Sequence, residues 1–161
     1  MKIGITGHQD IGSSADVAWV IEQLRALIDQ STLSAGITSL AVGSDQLYAT
    51  LLTEHQKPFT ALIPCRYYER TFATAQNLAH YQSLLKQAAE VVYLPFDDPS
   101  EEAFWAAGKQ MADNADSVIA IWNGLPAKGL GGTGDVVRYC RETGKKVLHI
   151  NPRTHQAVEI S

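Results

Sequence analysis

The residues best placed to do chemistry in this 161-residue chain gather around Ala120-Ile-Trp-Asn-Gly-Leu-Pro-Ala-Lys-Gly-Leu-Gly-Gly-Thr-Gly-Asp135. A β-branched apolar run ends there in a glycine-dense turn, and helical spacing follows. Strand, turn and helix start in that order bring free backbone N–H groups and the positive end of a helix dipole to one point, where an anion is readily held. Gly131, Gly132 and Gly134 let the backbone approach a ligand with no Cβ in the way, and Thr133 adds a hydroxyl donor. Phosphate binding is the chemistry expected. The competing reading is a tight connection between strand and helix with no ligand. No Gly-Lys-Ser/Thr follows, so this is not a Walker A sequence, and no GxGxxG follows the first strand. Neither NTP hydrolysis nor hydride transfer has positive support.

Other loops supply candidates by the same logic, because ligands of open α/β sheets gather beyond the carboxyl ends of the strands. The first strand delivers Thr6, Gly7 and His8; the second Gly43, Ser44 and Asp45; the third Arg66, Tyr68 and Glu69; the fifth Asn123 and Gly124, then Gly131 to Asp135. His8 has the chemistry to contact a phosphate or ribose or to transfer a proton near neutral pH, or to be a loop histidine satisfied by backbone. Asp45 is either an acceptor for ribose hydroxyls or an early-helix carboxylate answering the dipole. Arg66 and Tyr68 would pair with phosphate and stack on a base if residues 65–77 fold over the site as a lid; the alternative is surface packing. His8, Asp45, Glu69 and Asp135 are the acid, base or nucleophile candidates for an enzymatic reading. Trp19 and Trp105 read as packing residues, and Trp122 as core that doubles as a pocket wall. No residue pattern calls for a metal or a cofactor.

The elements that must position these residues follow from periodicity. Strands are expected at 2–6, 37–42, 58–63, 91–94, 117–122 and 145–150. Between them, apolar residues at helical spacing mark 13–31, a helix carrying Leu47 to Leu52, 78–88, 100–114 and a last helix carrying Val136, Val137 and Cys140. Ser13 to Asp16 and Ser100 with Glu101 and Glu102 are capping signals. Six strands alternating with helices predict an α/β, Rossmann-like doubly wound, mostly parallel sheet with helices on both faces. One domain over 1–152 is expected, with 153–161 a tail that is either loose or an arm onto a partner.

Composition sets the boundaries. A 45% hydrophobic content with 19% charged residues is enough for a core without staples. The 13 basic and 17 acidic residues give a net charge of -4, which opposes a groove for long nucleic acid but not a small phosphorylated ligand. Cys65 and Cys140 lack zinc-ligand spacing and read as free thiols of a reducing cytoplasm, and no run reaches membrane-spanning length.

Taken together, Gly4-Ile-Thr-Gly-His8, Ala41-Val-Gly-Ser-Asp-Gln46, Ala120-Ile-Trp-Asn-Gly124 and Gly131-Gly-Thr-Gly-Asp135 resemble the SLOG superfamily. That superfamily joins the Smf/DprA DNA-processing proteins to the "lonely guy" phosphoribohydrolases. The likeness runs from Met1 to about Pro152 and is greatest to small bacterial SLOG domains that sense nucleotides or NAD-derived signals. It implies a nucleotide or ADP-ribose-like ligand, phosphate on the 131–134 turn, ribose near Asp45 and Thr6, and a homo-oligomer. The phosphoribohydrolase pattern Pro-Gly-Gly-x-Gly-Thr-x-x-Glu has Leu130, Asp135 and Arg138 in place of its proline, threonine and glutamate. Ala107 stands at the arginine of Arg-Lys-x-x-Met, with Met111 retained. The expectation is therefore binding without turnover, with a nucleotide N-glycosidase or nucleoside deoxyribosyltransferase-like enzyme as the alternative.

Overall fold

The computed structural model describes residues 1–161. Its strands are β1 (Lys2–Gly7), β2 (Ala35–Thr38), β3 (Phe59–Ile63), β4 (Glu90–Tyr93), β5 (Ser117–Ile121), β6 (Lys146–Asn151) and β7 (Gln156–Ile160). The α-helices between them are α1 (Ser14–Ile28), α2 (Ser44–Glu54), α3 (Ala75–Gln87), α4 (Glu101–Asn114) and α5 (Thr133–Glu142), with a single 3-10 turn at Tyr68–Thr71. All strands join one sheet in the order β4-β3-β2-β1-β5-β6-β7, parallel throughout except for β7. The chain winds outward from β1 to β4 and then returns to lay β5 beside β1, so the sheet reverses direction between those two strands. A crevice is expected at their carboxyl ends.

Period-two alternation in the central strands sends side chains to two separate cores. Ile3, Ile5, Ala61, Ile63, Ile119 and Ile121 pack under α1, α2 and α3 with Val20, Leu24, Ile28, Tyr48 and Leu52. Leu62, Val118, Ala120 and Val147 pack under α4 and α5 with Ala107, Met111, Val136, Val137 and Cys140. Burial on both faces is what the near-continuous apolar runs of a parallel sheet require. The capping signals hold. Ser13 and Asp16 form a reciprocal capping box at α1, Ser100 accepts from the Ala103 amide at α4, and Thr74 accepts from Asn77 at α3, which starts α3 three residues before the expected 78.

Two larger departures from expectation each have a local reason. β2 covers 35–38 rather than 37–42, because Leu40 turns into the left-handed region (φ 57) with its side chain buried. Thr38 Oγ1 accepts from the Leu40 amide at 3.1 Å and Asp45 Oδ2 from the Ser39 amide at 3.1 Å, so these backbone groups leave the ladder. The segment expected as a tail is the seventh strand. Gln156 to Ile160 pair antiparallel with Asn151 to Val147, and the boundary at 152 falls inside the β6–β7 turn. It is an edge strand exposed along most of its length, with Ile160 its one partly buried residue. No helix is long and apolar enough to cross a membrane.

Candidate functional site

A cleft of about 1030 Å³ opens where the sheet reverses, at the upper end of the size usual for small-molecule sites. Its apolar and aromatic lining comes from Ile5, Tyr68, Phe72, Phe104 and Met111, its polar lining from His8, Asp10, Asp16, Glu101, Asn123, Lys128 and Arg153, and the β5–α5 connection from Leu125 to Gly134 lines it as well.

The β1 loop is fixed from both sides. The His8 amide donates to Ile121 O at 3.1 Å, and the Ser44 hydroxyl donates to His8 O at 2.7 Å. His8 Nε2 accepts from the Asn123 amide at 3.1 Å, which assigns the proton to Nδ1. Burial holds the imidazole below its ordinary range, and nearby Arg153 and Lys128 push the same way against Asp10. His8 is thus a neutral side chain at the cleft whose Nδ1–H has no protein acceptor.

The glycine turn has a divided architecture. Asp135 accepts from the Gly131 amide through Oδ2 at 3.0 Å and pairs with Arg138 through Oδ1 at 3.0 Å, so its carboxylate closes the turn and faces away from the cleft. The missing Cβ atoms answer contacts within the protein. At Gly131 (φ +85) a Cβ would stand 2.7 Å from the Trp105 amide nitrogen, and at Gly134 2.8 Å from that of Ala127. The glycines therefore let the loop fold on itself and against α4. What they leave open are the amides of Thr133 and Gly134, the first two residues of α5, which have no acceptor in the protein. Both residues line the cleft, and the Thr133 hydroxyl is likewise without a protein partner.

The remaining expected residues divide. Thr6, Gly7, His8, Asp45, Tyr68, Asn123, Gly131, Gly132, Thr133 and Gly134 all line the cleft; Gly43, Ser44, Arg66, Glu69, Gly124 and Asp135 do not. Arg66 lies over the Tyr67 ring beside β4, and Glu69 accepts from Gln82 at 3.2 Å. Residues 65–77 accordingly form a wall and not a lid. Tyr68 is 5% exposed, with Phe72, Tyr81 and Phe104 edge-on at 5.4, 5.6 and 6.4 Å, and burial drives its phenol well above the usual range. Asp45 is buried at the cleft floor, where desolvation lifts its carboxyl to about 6 against the Ser39 amide bonded to it. Trp122 lines the cleft as expected, its Nε1 donating to Leu125 O at 2.8 Å.

Asp10, Asp16, Lys128, Arg153 and the Phe104–Met111 wall were not anticipated. Arg153 follows β6 directly, so the carboxyl-end rule that selected the other loops would have found it had 153–161 been read as part of the sheet. The Phe104–Met111 wall carries no sequence signal distinct from helix packing.

No family model matches the chain, and no curated protein matches it in sequence. Solved structures do match in fold. DNA processing protein A from Streptococcus pneumoniae superposes with a TM-score of 0.69 at 17% identity, covering 93% of this chain and 50% of that one. The DNA processing protein A of Helicobacter pylori, described for its single-stranded DNA binding mode, gives 0.67 at 17% identity over 98% of this chain and 68% of its own. A molybdenum cofactor binding protein from Rippkaea orientalis gives 0.60 at 17% identity over 92% and 74%. The chain spans half the length of the Streptococcus protein. The Rossmann-like doubly wound fold expected from the sequence is the fold of this protein, and these structures share it.

Proposed function

We propose that the cleft binds a nucleotide or nucleotide-derived ligand without turning it over. One phosphate sits on the Thr133 and Gly134 amides and the Thr133 hydroxyl, and the nucleoside lies along the aromatic wall. The observation that carries this reading is the pair of unpaired amides at the start of α5, opening into a large cleft at the sheet reversal. Backbone donors and the helix dipole act there together. His8 adds a neutral N–H donor to the same cleft. Fold likeness to proteins described as binding single-stranded DNA or a molybdenum cofactor is in keeping with a nucleotide-like ligand. The net charge of -4 argues against a strand-long backbone contact. We assign the protein a sensor role as a self-associating cytoplasmic domain, a compartment that suits its two buried free thiols.

A thermal-shift panel of AMP, ADP-ribose, NAD and cyclic ADP-ribose tests the reading, since a ligand of the native state raises the melting temperature. At least one is expected to stabilise the protein at ligand excess; no shift from any member sinks the proposal. Glycine replacements in the turn would confound folding with binding. Thr133→Asp avoids this, because a carboxylate in the first turn of a helix is compatible with the dipole yet occupies the anion position. It is expected to keep the fold and abolish the shift.

An enzymatic reading has one observation in its favour. Two titratable groups of the cleft, His8 and Asp45, are both displaced toward their neutral forms. Against it, His8 Nε2 and Asp45 Oδ2 are each engaged by a backbone amide. Release of free base from nucleoside monophosphates, followed by chromatography, would replace the binding reading with that of an N-glycosidase.

A further inference from the structure

The β6–β7 turn brings a second element of positive charge to the cleft. Five of the six arginines are engaged. Arg25 pairs with Glu54, Arg70 with Asp98 and Arg138 with Asp135, Arg66 lies over Tyr67, and Arg141 donates to Ser161 O. The side chain of Arg153 alone has no ion pair, hydrogen bond or aromatic partner, and it lines the cleft. Lys128, on the β5–α5 connection, lines the same cleft and is also without a partner. Of the acids that line the cleft, Asp10 accepts from the Gly12 amide at 3.0 Å, Asp16 from the Ser13 amide at 3.0 Å and from His155 at 2.8 Å, and Asp45 from the Ser39 amide at 3.1 Å, while Glu101 on α4 has no partner. Arg153 and Lys128 are thus the two cations of the cleft left open to an anionic group.

Arg153 is also held in place. Asn151 Oδ1 accepts from the Arg153 amide at 3.0 Å, and Pro152 is buried. His155, in the left-handed region at φ 53, stacks on Trp19 with ring centroids 4.8 Å apart and bonds Asp16 in the α1 capping box. The turn is therefore clasped to the start of α1, so the backbone that carries Arg153 needs no further ordering.

We infer that the cleft takes a ligand with a diphosphate, one phosphate on the α5 amides and the next toward Arg153 and Lys128, as in a dinucleotide or a nucleoside diphosphate sugar. This rests on the nucleotide reading above and narrows it, since a nucleoside monophosphate fills only the first subsite. The volume of the cleft is in keeping with the longer ligand.

Calorimetric titration of the full chain with AMP, ADP-ribose and an oligothymidylate tests the inference, with wild type, Arg153→Ala and His155→Ala compared. ADP-ribose is expected to bind wild type at least about tenfold more tightly than AMP, the scale of one charge-assisted contact. Arg153→Ala is expected to remove most of that advantage while leaving AMP affinity within about twofold and the melting temperature unchanged. His155→Ala, which frees the turn without touching ligand, is expected to weaken ADP-ribose binding only, by a smaller factor. Equal affinity for AMP and ADP-ribose, or an equal loss of both in Arg153→Ala, overturns the second subsite and leaves the nucleotide reading intact. No binding of either nucleotide overturns both. Oligothymidylate binding that depends on Arg153 overturns the small-ligand assignment.

Discussion

The β2–α2 and β5–α5 connections look alike in sequence, yet the structure uses them in opposite ways. Each leads from the carboxyl end of a central strand into a helix start, and each combines glycine, a hydroxyl residue and an aspartate in the first turn. In the first, the protein consumes most of the polar groups, leaving only the Asp45 amide of the first two helical residues without an acceptor. The Ser44 amide and hydroxyl both reach His8 O, Gln46 Nε2 donates to Leu40 O, and Asp45 takes the Ser39 amide. The carbonyl of His8 stands at the start of α2 where an anion would stand at the start of α5. In the second, Asp135 ties up only Gly131, and two amides remain open. Glycine and an acid at a helix start thus mark a dipole that something must answer. Whether that something is the chain or a ligand depends on which neighbouring loop lies over it.

The largest test of this contrast is Gly43→Ala. Gly43 has φ +87, and a Cβ there would stand 2.1 Å from the carbonyl oxygen of Gln9. Left-handed strain and a backbone clash together predict a loss of about 3–5 kcal/mol, measured by denaturant unfolding. A loss below about 1 kcal/mol would mean that the β1 loop does not lie over α2 as described.

Asp45→Asn comes next, with the opposite sign. The folded-state value of about 6 lies above the unfolded carboxyl value, so the native state binds the extra proton between about pH 4 and 6. Stability from this group falls as pH rises through that window and is fully lost above it. Removing the charge should therefore stabilise the protein above pH 7 by about 2–3 kcal/mol, the equivalent of about two pK units. His8 and Asp16 titrate in both proteins, so the difference between the two stability–pH curves isolates Asp45. The gap should close as pH falls toward 4, and a gap independent of pH would refute the assignment.

These two residues also mark how far the sequence could be read. Helices and strands were legible because apolar residues at helical spacing alternate with short continuous apolar runs, and because Ser13, Asp16 and Ser100 cap as their types require. The sheet reversal followed from strand count and crossover length. Less legible was anything set by contacts distant in the chain. Leu40 ends β2 only because Asp45 and Thr38 hold the turn, and Gln156 to Ile160 becomes a strand only because β6 offers it an edge. In the cleft, Thr133 and Gly134 carried a readable signal, whereas Arg66 and Glu69 shared the same composition and lie elsewhere. Residue type marks what a group can do; only packing decides which way it faces.

The smallest effect, and the one that separates binding from catalysis, belongs to Asp135. Asp135→Asn keeps an oxygen to accept the Gly131 amide and loses only the charge facing Arg138, whose side chain is 63% exposed. The Asp135 side chain is only 14% exposed, but the arginine end of the pair is open to solvent, so the pair contributes about 1 kcal/mol and stability should fall little. Because the carboxylate stands in the first turn of the helix whose first two amides are open, neutralising it should strengthen the proposed anion binding there by about twofold at low salt, fading as salt rises. A nucleophile or general base at this position demands the reverse, with affinity preserved and base release lost. Titration with ADP-ribose and chromatography of the same mixtures distinguish the two outcomes. A variant that binds as well as wild type or better, with no product from either protein, leaves Asp135 as the residue that shapes the turn.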